Sequence, residues 1–138
     1  MIHNHVVAAI IFHNDLILCL QRGEGKYPYI SSKWEFPGGK VEHGETYKTA
    51  LKREIFEELE MEISIENEFL SVEHAYPDFT IILHSFVCQC DLPRFKLTEH
   101  LDYKWLLIEE LQQLDWAEAD KPIVELLMQK NKDQTLTR

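Results

Sequence analysis

Cysteine, glycine and proline are scarce in this chain, with three, five and five among 138 residues. Cys19, Cys88 and Cys90 are an odd number without ligand-like spacing. That excludes a disulfide scaffold and a zinc centre, and points to reduced thiols in the cytoplasm. Low-complexity tracts, internal repeats and linkers are missing as well, so a single domain spanning 1–138 is expected. No apolar run approaches the roughly 20 residues that cross a bilayer, and His3, Asn4 and His5 interrupt the start where a signal peptide would lie. Positive charge is the last shortage. Lys and Arg number 14 against 24 Asp and Glu, a net charge of −10, which argues against a groove holding polynucleotide backbone through a basic stripe. A single nucleotide is not excluded, because a bound metal supplies positive charge locally.

What is present is an ordinary globular mix, 45% hydrophobic and 28% charged, long enough to bury a core without staples. Val6 to Phe12 is a near-continuous β-branched and apolar run, the pattern of a strand buried on both faces. His13-Asn14-Asp15 reads as a tight turn, and Leu16 to Leu20 returns as a second strand closed by Gln21-Arg22. Gly23 to Lys33 is a polar loop, longer than a simple connection and of the kind that borders a substrate mouth. Its Tyr27 and Tyr29 are given no role. Trp34-Glu35-Phe36 is a short strand delivering the turn Pro37-Gly38-Gly39.

Ile63 to His74 and Phe79 to Cys90 are longer strands joined by the turn Ala75-Tyr76-Pro77-Asp78, and the second, apolar on both faces, belongs at the centre of a sheet. Cys88 and Cys90 share one face there as packing residues. His74 and His84 have no partner at ligand spacing and read as structural. Tyr103 to Ile108 is a last strand and Glu109 to Leu114 a helical turn. Ala117 to Lys130 is an amphipathic helix beginning near Asp120, since Pro122 fits only a first turn. Lys130 to Arg138 is polar and expected to fray.

The chemistry concentrates in Gly38-Gly39-Lys40-Val41-Glu42-His43-Gly44-Glu45 and the helix that follows, Thr46 to Leu59. Tyr47, Leu51, Ile55 and Leu59 recur every four residues as a buried stripe, with Ala50 beside it. Glu54, Glu57 and Glu58 converge on another face, where like charges cost roughly 0.2–0.5 kcal/mol per pair. Only Arg53, one turn before Glu57, is placed to relieve them. A solvated acidic face is one reading of such a run. An all-oxygen site for a hard cation such as Mg²⁺ is the other. The two glycines and the fixed distance back to Glu45 favour the second.

Gly39, five residues, Glu45, seven residues, then Arg53-Glu54-Ile55-x-Glu57-Glu58 resembles the Nudix box. One departure is Glu60, where the family carries a glycine that ends the helix in the left-handed conformation; a side chain there costs roughly 1–2 kcal/mol. The likeness to MutT-like members extends over nearly the whole chain. It implies an α+β fold, an α/β/α sandwich around a central mixed β-sheet, and hydrolysis of a nucleoside diphosphate linked to another group.

Residue by residue, the resemblance implies that the Gly39 carbonyl, Glu54, Glu57, Glu58 and Glu99 bind metal, Mg²⁺ with Mn²⁺ as the alternative. Arg53 orients the cluster by pairing with Glu45 or Glu57, which makes Glu45 structural. Arg22, Glu35, Phe36 and Lys40 lie on the substrate side, Arg22 because guanidinium suits oxygen acceptors. Glu99, six residues before Trp105, matches an acid that binds metal or takes a proton from water; Glu54 is the other candidate base. His100 beside it has no assigned role. Asp120, in Ala119-Asp120-Lys121-Pro122, is open to two readings: an N-cap, or a carboxylate accepting from an exocyclic amine of cytosine or guanine and repelling the O4 of uracil or thymine. The implied activity is Mg²⁺-dependent pyrophosphohydrolysis of a nucleoside triphosphate, CTP, dCTP or an oxidised guanine nucleotide such as 8-oxo-dGTP, in nucleotide-pool housecleaning. The partner would be a small nucleotide, without polynucleotide or membrane, and the protein a monomer or homodimer. A nucleoside diphosphate sugar such as ADP-ribose is the rival substrate. A non-catalytic binding module is the rival class, and the intact acidic set speaks against it.

Overall fold

The computed structural model describes residues 3–133, so the expected fraying after position 133 lies outside it. Strand β1, His3–His13, is the axis of the fold. Asn14 and Asp15, both at positive φ (49° and 68°), turn it back into β2, Leu16–Gln21. Short polar residues are those that tolerate this left-handed backbone, and such turns match the twist of paired strands. The hairpin ladder holds only at its closed end, Phe12 with Ile17 and His13 with Leu16, after which the strands diverge.

The wedge between them is filled by the next segment of chain. Strand β3, Trp34–Glu35, pairs with β2, and β4, Gly38–Lys40, pairs with β1. The glycine pair read as a turn is therefore a strand, and the Pro37 carbonyl joins it to β1 by accepting from Ala9 N at 2.8 Å. Glycine is required at position 38, because a Cβ there would strike the Val7 carbonyl across the ladder.

Helix α1, Tyr47–Leu59, is N-capped by Thr46, whose hydroxyl accepts from Thr49 N at 3.1 Å. Strands β5, Ile63–Ala75, and β6, Thr80–Cys90, follow as a long hairpin. As its two apolar faces demand, β6 is internal, antiparallel to β5 and parallel to β1. Strand β7, Asp102–Leu106, pairs with the outer edge of β2 and stops two residues short of the expected Ile108, which opens a 3-10 helix, Ile108–Gln113. A second 3-10 turn, Glu118–Asp120, leads into α2, Lys121–Lys132, with Pro122 in its first turn. Among the described residues the β1–β6 ladder is parallel and the other strand ladders are antiparallel, so the sheet is mixed.

Alternation along β1 divides the core. Val7, Ala9 and Ile11 face Leu51, Ile55 and Leu59 of α1, while Ala8, Ile10 and Phe12 face Ile123, Val124 and Leu127 of α2. Each large apolar side chain so buried contributes roughly 1.5–3 kcal/mol. The result is the α/β/α sandwich anticipated above. Cys88 and Cys90 pack together on the α1 side.

Candidate active site

A cleft of about 830 Å³ opens over Val6, Ala8, Ile81 and Leu83, on the sheet face that α2 covers farther along. Its walls hold Arg22, Glu35, Phe36, Gly39, Lys40, Glu58, Glu99 and Asp120. These come from strand ends, a helix and two loops, so the divergence of β1 from β2 is what brings them together.

Arg53 organises the acidic corner. Its Nε donates to Glu45 Oε2 at 2.6 Å and Nη2 to Glu45 Oε1 at 2.9 Å, a bidentate pair. Nη1 reaches Glu54 Oε1 at 2.8 Å and Glu57 Oε2 at 3.1 Å, while Nη2 also donates to the Lys40 carbonyl at 3.1 Å. Glu45 is thus the anchor of Arg53, and both pairings suggested by the sequence exist at once. The guanidinium, then the bond from Glu42 N, hold the Glu45 carboxyl down at about 2. Glu54 stands close against Gly39, where a Cβ would collide with its carboxylate. Glu57 is turned outward, 58% exposed, and tied to Arg53. Arg53, Glu54 and Glu57 do not themselves line the cleft.

Glu58 does. Burial, followed by the negative charge of Glu35, Glu54 and Glu99, pushes its carboxyl up to about 8, and its Oε2 is buried without a hydrogen-bond partner. A buried carboxylate oxygen with no donor, crowded by other acids, is the donor chemistry a hard cation takes. Of the residues named for metal, Glu58 has the chemistry that fits such an ion. Among the described residues no three acidic, histidine or cysteine side chains already stand at ligand spacing, since Arg53 draws Glu54 and Glu57 toward itself.

Asp120 precedes α2 but makes no side-chain cap. Instead its Oδ1 accepts from Phe36 N at 3.2 Å, across 84 positions of sequence. Burial and the nearby Glu35 raise its carboxyl well above the ordinary range, against the opposing pull of the Phe36 N–H. The capping reading is thereby replaced by one in which the carboxyl is held toward the cleft. Phe36 itself is buried, its ring stacked on Trp116 at 4.7 Å, so its backbone amide is the group that touches another site residue.

Arg22 Nη1 stands 3.2 Å from Glu35 Oε1 and His100 Nε2 3.0 Å from its Oε2. Lys40 is exposed at the rim. Sequence reasoning passed over Tyr76, whose hydroxyl accepts from Ala119 N at 3.1 Å, and over Tyr29, which stacks on Tyr76 at 5.5 Å and donates to Asp78 at 2.6 Å. The aromatics flanking the β5–β6 turn were the available signal. His84 lies outside the cleft, as expected of a structural residue, stacked on Tyr47 at 4.0 Å.

Comparison with known proteins agrees with this geometry. The sequence profile of the NUDIX domain matches residues 3–127. The CTP pyrophosphohydrolase of Escherichia coli K12 is 37% identical over 130 residues, 89% of this chain and 90% of that protein. An 8-oxo-dGTP diphosphatase of Buchnera aphidicola from Acyrthosiphon pisum is 35% identical over 103 residues, 75% of this chain and 83% of that one. Among solved structures, the E. coli ORF135 protein superposes with a TM-score of 0.82 at 31% identity, covering 99% of this chain and 96% of that one.

Proposed function

The chain belongs to the NUDIX family, and from that premise we propose that it is a Mg²⁺-dependent pyrophosphohydrolase of nucleoside triphosphates. It is a hydrolase of phosphoric anhydride bonds in nucleotides, in line with relatives named for that activity. The substrate is CTP, dCTP or an oxidised guanine nucleotide such as 8-oxo-dGTP, and the products are the nucleoside monophosphate and pyrophosphate. Three buried, unbridged thiols fit a cytoplasmic place of work.

One observation carries the reading: a single cleft is lined both by crowded acids around Glu58 and by the buried carboxyl of Asp120. The first suits a charged phosphate chain with its cation and the second suits a base. Gly39, Glu54, Glu57, Glu58 and Glu99 would hold the metal, which neutralises phosphate charge and lowers the pKa of water when bound. Arg53 keeps Glu54 and Glu57 in place through its anchor on Glu45. Glu54 or Glu99 takes the proton from the attacking water as the anhydride bond breaks. Lys40, at the rim, meets the phosphates.

Asp120 receives the base. One oxygen is engaged by Phe36 N, leaving the other for the ligand. Burial and Glu35 raise the pKa of this carboxyl, and an amine-bearing base edge donating to it would favour the carboxylate that accepts. The decisive test is product identity over a panel of nucleotides. Pyrophosphate released from CTP, dCTP or 8-oxo-dGTP is the expected result. Ribose phosphate and AMP from ADP-ribose, with the triphosphates untouched, would show the diphosphate-sugar activity instead.

A further inference from the structure

His100 follows Glu99 in a segment strapped across the site. At one end Lys96 N donates to the Leu59 carbonyl at 2.9 Å and Thr98 Oγ1 to the Glu58 carbonyl at 3.0 Å, both at the close of α1. At the other, Leu101 N donates to the Gln21 carbonyl of β2 at 2.9 Å. The His100 side chain between them is only 7% exposed. Its Nε2 stands 3.0 Å from Glu35 Oε2, and its Nδ1 is buried with no partner.

Glu35 is bonded on both oxygens, to His100 and to Arg22, so it acts as the acceptor in each case. The imidazole therefore donates from Nε2, while Nδ1 is left without a partner. Leaving that nitrogen buried and unpaired is unfavourable, and the bond to Glu35 is what the ring gains in exchange. The two partners of Glu35 are unequal. Arg22 is 44% exposed, whereas His100 is 7% exposed within its strap.

We propose that His100 is a positioning residue for substrate selection, holding Glu35 between Glu58 and Asp120 so that its carboxylate meets donors on the sugar or base of the nucleotide. The inference rests on the reading of Glu35 as substrate-facing. Without the imidazole, Glu35 follows Arg22 toward solvent and leaves the middle of the cleft. The acids around Arg53, which the imidazole does not touch, keep their geometry.

The test compares His100→Leu and His100→Gln with wild type on the preferred triphosphate and on the next-best base, with melting scans to confirm folding. Losing one fixed acceptor should raise KM about tenfold in His100→Leu and narrow the base preference by a similar factor, with kcat within about threefold. Gln keeps an N–H where Nε2 stood and should restore KM to within about threefold of wild type. In a Glu35→Gln background, His100→Leu should add no further loss, the signature of one residue acting through another. Should His100→Leu fail to fold, the same comparison is made with His100→Asn, which is too short to reach Glu35 and should show the raised KM. An unchanged KM and base ratio, a loss confined to kcat, no rescue by Gln, or additivity with Glu35→Gln would each overturn the inference. If wild type hydrolyses no triphosphate, it is the proposed function that fails. Nucleotide affinity by calorimetry then reads the same His100 comparison.

Discussion

Glu58 holds a disfavoured charge, opposed by burial and by Glu35, Glu54 and Glu99. Its folded-state pKa of about 8 lies above the ordinary 4.5, so the folded protein binds this proton more tightly than the unfolded chain does. The stability it contributes is complete below about pH 4.5 and is lost as pH rises toward 8. In chelator, the melting temperature should fall across that window, and Glu58→Gln should flatten the fall. Glu45 has the opposite sign. Its carboxyl is held at about 2, so its contribution is present above pH 4.5 and disappears as pH drops toward 2. Asp120→Ala should lower kcat/KM for the preferred base by about ten- to a hundredfold, the worth of a hydrogen bond to a charged group, while kcat stays within a few-fold. An unchanged base profile would leave Asp120 with only its structural bond to Phe36. The position of Asp120 was legible from its Ala-Asp-x-Pro setting, but its partner was not. Phe36 N lies 84 positions away, and no local pattern encodes that meeting.

Helix α1 shows how an element ends against its own propensity. Glu60 adopts the left-handed conformation (φ 52°, ψ 37°) and its N–H bonds the Phe56 carbonyl at 2.9 Å, so the helix terminates as if glycine were there. The last carbonyls find donors from a distant loop, Lys96 N on Leu59 and Thr98 Oγ1 on Glu58, and Lys96 Nζ sits 3.5 Å from Glu60 Oε2. That exposed ion pair is worth little. Glu60→Gly should therefore stabilise the fold by roughly 0.5–1 kcal/mol, the relief of left-handed strain less the entropy glycine restores to the unfolded chain. A rise in melting temperature of about 2–4 °C would show it. A fall would mean that the contact with Lys96 outweighs the strain. Sequence could locate this helix and its faces because its apolar periodicity is local. It could not foresee the termination, which depends on residues about 40 positions later. The glycine pair was misread for a related reason: β4 exists only because β1 and β2 part and leave a wedge to fill.

At the scale of the whole molecule, a chain of net charge −10 concentrates several of its acids in one cleft instead of spreading them all over the surface. The two layers of the core were readable from the near-continuous apolar run of β1, buried on both faces, and from the spacing of Leu51, Ile55 and Leu59. The union of Arg22, Glu35 and His100 was not, since it joins β2, β3 and the strap before β7. The acidic corner is costly without a counter-ion, and Arg53 relieves it only in part. Glu57→Gln removes one proposed acidic ligand at an exposed position that contributes little to packing, so folding should be unaffected while turnover falls by orders of magnitude. The most direct measurement is pyrophosphate release from the preferred triphosphate by wild type and Glu57→Gln, each with Mg²⁺ and with chelator. We expect rapid release only from wild type with Mg²⁺; equal rates in chelator, or a variant as fast as wild type, would contradict a metal held by this helix.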